Sequence, residues 1–225
     1  KLARKTITDH LNGLKPTPPD LQNLSANLKT NAGAFVTLRR DGQLRGCIGS
    51  FSTTTPLYQV VMAMAVAAAT EDYRFPPVTR NELGEVEIEI SVLTPMKKIS
   101  SIDEIELGRH GIYIRKGGHS GTFLPQVAAE TGWSLEEFLG HCARDKALIG
   151  WDGWRDAEIF TYEAIVFEEK LVARGAAHPV HSLHVRSCPV DRDGGLGHLR
   201  PGTSVGPRPL IPIVDPNREV AGIRA

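Results

Sequence analysis

The chain has 225 residues, 41% of them hydrophobic and 6% aromatic, and its 26 basic side chains equal its 26 acidic ones. That length allows one large domain or two small ones, and the balanced charge counts against nucleic acid as a general partner. No run of about eighteen apolar residues is present, so no membrane span is expected.

The opening "KLARKTITDHL" reads as the inside of an amphipathic helix rather than a signal peptide, because it lacks a long apolar stretch. The chain is therefore expected to have lost a few residues before Lys1. Cys47, Cys142 and Cys188 are odd in number and widely spaced. That is neither a disulfide framework nor a paired zinc motif, and it suggests a reducing, cytoplasmic setting.

In chain order, "FVTLRRDGQLRGCIG" predicts two strands joined at Asp41-Gly42, the strongest short hairpin signal. "STTTPLYQVVMAMAVAAAT" predicts a helix over 56–70, with Thr55 as N-cap and Pro56 at the first helical position. Apolar nearly all round, it should be the buried central helix. In "EVEIEISVL", Val86, Ile88, Ile90 and Val92 should face a core and Glu87, Glu89 and Ser91 face water. Such one-sided alternation favours an antiparallel sheet. "GIYIRK" and "GTFL" supply further strands, and Ser134 with Glu137 forms a capping box that opens a helix. "EIFTYEAIVFEE" is again strand-like. The fold class is therefore α+β, a mainly antiparallel sheet packed on helices.

Composition changes near residue 171. From Leu171 to Ala225 there is no Phe, Trp, Tyr or Lys, while Gly and Pro recur. Such a segment has little with which to offset the entropy of ordering. The organisation expected is thus a domain over 1–170 and a mostly disordered tail over 171–225.

Among candidates for chemistry, Cys47 stands out because Gly46 and Gly49 flank it and Arg45 is near. Glycines let a ligand approach, and a cation favours thiolate. The competing reading is a small buried hydrophobe beneath a tightly packed strand. Asp72 and Arg74, in "ATEDYRFPP", form either an ion pair shaping a turn or a substrate-recognition pair on a loop that its prolines hold extended. His119, in "RKGGHSGTFLPQV", lies in a glycine-rich segment before a helix start and could hold an anion; a loose hairpin tip explains it equally. His110 is a weaker candidate. Cys142 falls on the apolar stripe of its helix, which leaves His141 solvated. His178, His181, His184 and Cys188 have spacings a metal could use, but they fall in a tail without a visible core, so no metal site is expected. No cofactor motif is recognised.

Six segments, "LRGCIGSF", "AAATEDYRFPPVTRNEL", "VEIEISVLTPM", "GRHGIYI", "GTFLPQVAAETGW" and "DKALIGWDGW", occur in an order that resembles the AMMECR domain family, also called the AmmeMemoRadiSam system protein A. The resemblance covers about residues 1–170. It implies an α+β protein with two subdomains around a cleft, and a genetic setting beside a radical SAM enzyme and a Memo-like protein. The positions that match its signature are Leu44, Arg45, Gly46, Cys47, Ile48 and Gly49, then Asp72, Arg74 and Phe75, then Leu124 and Pro125. One departure is "DKALIG", which lacks the Lys-Ala-Gly-Leu run associated with this region.

Two functions follow as expectations. In the first, the chain is an enzyme or enzyme component acting with those partners, Cys47 being nucleophile or acid while Arg45, Gly46, Gly49, Asp72, Arg74 and His119 bind a polar small molecule or peptide. In the second, the same residues form a non-catalytic binding or scaffold module for a peptide, a protein partner or nucleic acid.

Overall fold

In the computed structural model, residues 1–172 and 180–186 are described. They divide into two compact units, one formed by Lys1–Lys97 with the chain that returns at Tyr162, the other beginning at Lys98 and running to Thr161.

The first unit starts with α1 (Leu2–Leu11) and the single turn α2 (Ala26–Lys29). The hairpin follows as expected: β1 (Ala34–Arg40) and β2 (Gln43–Ser50) pair antiparallel. Asp41 and Gly42 both take positive φ, 52° and 73°, the geometry of a turn that matches strand twist. Past the turn the register slips by one between Leu38 and Arg39. Arg45 is thereby the extra residue of a β-bulge, which frees its side chain from the sheet's alternation.

Helix α3 (Leu57–Thr70) is the buried helix, ten of its fourteen residues being buried. Its start differs from expectation. Pro56 is itself the cap, in extended conformation, and no side chain caps the helix. The Leu57 N–H instead donates to the Thr30 carbonyl at 2.8 Å, beside a bridge between Asn31 and Pro56. A backbone partner supplied by tertiary structure replaces the side-chain cap.

Strand β3 (Val86–Leu93) pairs with β1, and β8 (Ala164–Val172) and β9 (Val180–Arg186) complete a five-stranded sheet in the order β2-β1-β3-β8-β9. Val36, Leu38, Ile48, Val86 and Ile88 face α3 and α1 to form one core. Ser91, expected to face water, is fully buried. The opposite face of the sheet is also covered at that end, where Phe35, Phe51 and Tyr162 pack edge to face at 5.5 and 5.2 Å. Of the tail expected over 171–225 to be mostly disordered, Leu171 and Val172 end β8 and Val180–Arg186 form β9; its remaining residues lie outside the described part.

The second unit carries a four-stranded sheet in the order β4-β7-β5-β6, formed by Lys97–Lys98, Glu158–Tyr162, Gly111–Lys116 and His119–Phe123 respectively. Two short helices pack on it, α4 (Pro125–Thr131) and α5 (Leu135–His141), and α5 opens with the capping box of Ser134 and Glu137. The helix widens into a π-turn at Cys142–Lys146. Ile112, Ile114, Phe138, Leu139 and Cys142 belong to the core of this unit. The fold is α+β throughout.

Candidate functional site

In the hairpin register Thr37 stands opposite Cys47, and on its other side opposite Glu89 of β3. Residues directly opposite share a face of the sheet. Ile48 faces α3 in the core, so Cys47 lies on the far face, in one row with Thr37 and Glu89. The sulfur thus points away from the central helix. It is nonetheless buried, the residue being 2% exposed, and it accepts a hydrogen bond from the Thr37 hydroxyl at 3.3 Å. Burial pushes the thiol up from an ordinary 9.0 to about 11, against the opposing pulls of the Thr37 hydrogen bond and the Arg74 charge. At neutral pH the group is a protonated thiol, and a thiol is a poor nucleophile.

The backbone of Cys47 is equally occupied. Its N–H donates to Asp72 Oδ2 at 2.8 Å, and its carbonyl accepts from Arg74 Nη2 at 3.2 Å. Both groups point outward from β2, which is an edge strand. Asp72 and Arg74 therefore stand in for a neighbouring strand and cap an edge that would otherwise be open to other chains. The two side chains are joined to each other by Arg74 Nε to Asp72 Oδ1 at 2.7 Å and Nη2 to Oδ2 at 2.5 Å. Their side chains are 3% and 2% exposed. The charged pair expected to recognise a polar substrate is buried and occupied with the protein's own backbone.

Arg45, released by the bulge, makes the second half of this clamp. It donates to both oxygens of Glu82, at 3.1 and 2.9 Å, and to the carbonyls of Pro76 and Pro77 at 2.8 and 3.3 Å. The Arg45 hydrogen bonds hold the Glu82 carboxyl below its ordinary range. Glu82 also accepts from the Thr79 N–H at 2.6 Å. Loop 72–79 is thus tied to β2 at both ends.

The flanking glycines answer to packing. A Cβ on Gly46 would sit 2.1 Å from the Ala68 carbonyl oxygen of α3, and one on Gly49 2.1 Å from the Phe35 ring. Strand β2 touches the helix on one side and an aromatic ring on the other, with no room for a side chain at either position. These glycines allow close approach by the protein itself.

The clamped loop presents one aromatic side chain to solvent. Tyr73, between Asp72 and Arg74, is 68% exposed, and Pro76 and Pro77 are exposed after it. Phe75 is half-buried under the Arg74 guanidinium, 5.4 Å from its ring centre.

The remaining candidates fall elsewhere. His119 is exposed at the start of β6 in the second unit, paired with Lys116 across a Gly117-Gly118 turn. His110 accepts from the Glu106 N–H at 3.0 Å and so closes a local turn. Cys142 is fully buried, with its thiol pushed far up by burial. His141, expected to be solvated, is stacked on Trp133 with ring centres 4.0 Å apart and bonded to Asp145 at 2.9 Å. Leu124 and Pro125 begin α4 as N-cap and first residue. The side chains of His178, His181, His184 and Cys188 lie outside the described residues. Among the described residues no group of three or more His, Cys, Asp or Glu could hold a metal ion, and no helix is long and apolar enough to cross a membrane.

Sequence reasoning missed Thr37 and Glu82, and it assigned Glu89 to the solvent face. Glu89 is half-buried in the Cys47 row. Thr37 was hidden by the bulge: a two-residue turn pairing Arg40 with Gln43 would place Thr37 opposite Gly46 without the slip. Glu82 carried one faint signal, an acidic residue three positions after a threonine, as in a capping box.

An α+β chain of two units, with an arginine-bulged hairpin clamped by an Asp-Arg loop, defines the structural class. The AMMECR1 family profile matches residues 1–167. Protein MK0488 of Methanopyrus kandleri is 42% identical over 184 residues, covering 76% of this chain and 86% of its own. Protein NEQ441 of Nanoarchaeum equitans is 40% identical over 178 residues, covering 75% and 97%. In structure the chain is similar to the uncharacterized protein PH0010 of Pyrococcus horikoshii, with a TM-score of 0.73 at 35% identity, covering 82% of this chain and 93% of that one. The chain belongs to the AMMECR1 family.

Proposed function

We propose that this protein is a non-catalytic binding module, a component of a multi-protein system that docks through the clamped loop 72–77. One observation carries the reading. Arg45, the Cys47 backbone, Asp72 and Arg74 all bond to one another or to the protein's own carbonyl and carboxylate groups, and the loop they fix displays Tyr73 at 68% exposure. A large aromatic side chain on a rigid backbone loses little entropy when it is covered, which makes it a natural anchor for a protein partner. The partners that the family resemblance implies are a radical SAM enzyme and a Memo-like protein.

A catalytic Cys47 fits less well. Its thiol is buried and raised to about 11, so attack on a substrate would require both exposure and loss of a proton. Titration calorimetry of the full chain against each of the two expected partners separates the readings. Tyr73→Ala should weaken one association at least tenfold while leaving the melting temperature unchanged, since exposed substitutions ordinarily stay within about 0.5 kcal/mol. Unchanged binding by Tyr73→Ala, together with loss of product from the three reconstituted proteins on Cys47→Ala, would reverse the assignment.

A further inference from the structure

Three rings meet at the end of α5. The His141 imidazole lies on Trp133, with ring centres 4.0 Å and planes 12° apart, and Trp151 stands edge-on to it at 5.0 Å. Trp151 itself rests on Gly140 of α5, where a Cβ would come within 2.5 Å of the indole. The Arg144 guanidinium lies over the same indole, 5.1 Å from the ring centre. Even with these covers Trp151 remains 36% exposed.

His141 Nδ1 faces two groups with opposite requirements. Asp145 Oδ2 is 2.9 Å away and Arg144 Nη2 is 3.1 Å away. A carboxylate only accepts and a guanidinium only donates, so the ring nitrogen serves one or the other according to whether it carries a proton. With Nδ1 unprotonated, the two N–H bonds of Arg144 Nη2 bridge Nδ1 and Asp145 Oδ2, the latter at 2.9 Å. With Nδ1 protonated, the ring donates to Oδ2 and carries a charge beside the guanidinium. The face of Trp133 favours an imidazolium, which keeps the ring in place. Arg144 then retains only the bond from Nε to Asp145 Oδ1, at 2.5 Å. Among the described residues, the charged groups that face the ring are Arg144 and Asp145 from the π-turn and Glu137 from α5. Lys146 lies over Phe123 instead. The Arg144 hydrogen bond above all holds the Asp145 carboxyl below its ordinary range, so that group stays charged wherever an imidazole titrates.

We propose that His141 is a pH-operated latch on Trp151. Neutral, with its proton on Nε2, the ring accepts from Arg144 and keeps the guanidinium over the indole. A proton taken up at Nδ1 gives Asp145 Oδ2 to the imidazolium and repels Arg144, so Trp151 is uncovered as pH falls from about 8 toward about 5. A displayed tryptophan is a strong anchor for a partner surface, and the latch makes that display conditional on acidity. It lies within the second unit and stands or falls independently of the docking role of loop 72–77.

The chain has three tryptophans, so magnetic resonance spectra of the full-length protein carry three sets of indole signals, assigned by the loss of one set each in Trp133→Phe and Trp151→Phe. Broadening of these signals by a dissolved neutral nitroxide measures how open each ring is to solvent. Between about pH 8 and about pH 5 at constant ionic strength, the broadening of Trp151 should rise at least about twofold, with the midpoint of the His141 ring signals. Those ring signals are assigned by their loss in His141→Gln. Trp154, which is buried, should not respond. His141→Gln should remove the pH dependence at Trp151, and Arg144→Ala should show the high broadening at both ends of the range. Constant broadening of Trp151 in the unaltered protein overturns the proposal. So does a pH response that persists in His141→Gln, or one that persists in Arg144→Ala.

Discussion

Leu148 holds a φ of +58° and is 64% exposed. An L-residue in the left-handed region is strained by about 1–2 kcal/mol, and an exposed leucine recovers little of that by burial. It follows Lys146 and Ala147, where the Lys-Ala-Gly-Leu run that the family resemblance implies would place a glycine. Leu148→Gly should therefore stabilise the protein by about 0.5–1 kcal/mol after the added freedom of the unfolded chain is counted. A rise of about 1–4 °C in melting temperature is the expected measurement; a fall would mean that the leucine side chain makes a stabilising contact. Cys47 gives a second prediction at this scale. Its pKa is higher folded than unfolded, so the stabilisation it brings is complete below 9.0 and lost as pH climbs toward about 11. Iodoacetamide labelling, read at Cys47 by mass spectrometry, should rise only as pH approaches 11. Labelling with a midpoint near 9.0, the ordinary value for this thiol, would show an accessible thiolate and revive the nucleophile.

Among the elements, the clamp between β2 and loop 72–79 is the feature whose energetics differ most from its appearance in sequence. Asp72 receives hydrogen bonds from the Cys47 N–H, the Arg74 N–H and the Arg74 guanidinium. Removing one charge from such a buried pair leaves the other uncompensated, at a cost of about 3–5 kcal/mol. Asp72→Asn should accordingly lower the unfolding free energy by that amount in urea titration, whereas Tyr73→Ala, one residue on, should leave it within about 0.5 kcal/mol. Equal effects of the two would contradict the division between a buried clamp and a displayed aromatic. The hairpin itself was legible, because Asp41-Gly42 dictates its turn. The clamp was not. Its register depends on the bulge at Arg45, and a bulge leaves no mark in periodicity.

For the whole molecule, the question is how the first sheet ends. Strand β9 pairs with β8 from Val166↔Arg186 to Val172↔Val180, so the segment read from composition as a tail contributes an edge strand. A chain stopped after Val172 would leave the outer row of β8 unpaired, a template for association. Sedimentation should then show larger species than for the full-length chain at the same concentration; an unchanged distribution would mean that β9 does not protect this edge.

Composition and local patterning could establish the neutral charge, the absence of a long apolar run and the α+β class, because these rest on counts and on local periods of hydrophobicity. Local chemistry likewise placed the Asp41-Gly42 turn, the buried helix and the capping box at Ser134, each set by residues within a few positions of one another. The contacts of the signature residues were decided only by tertiary structure. Whether Asp72 meets a substrate or the Cys47 amide, and whether Gly46 admits a ligand or the Ala68 carbonyl, depends on contacts between residues more than twenty positions apart. Sequence spacing carries no distance at that range. Burial and register supply it, and they join the signature residues into a clamp between β2 and loop 72–79.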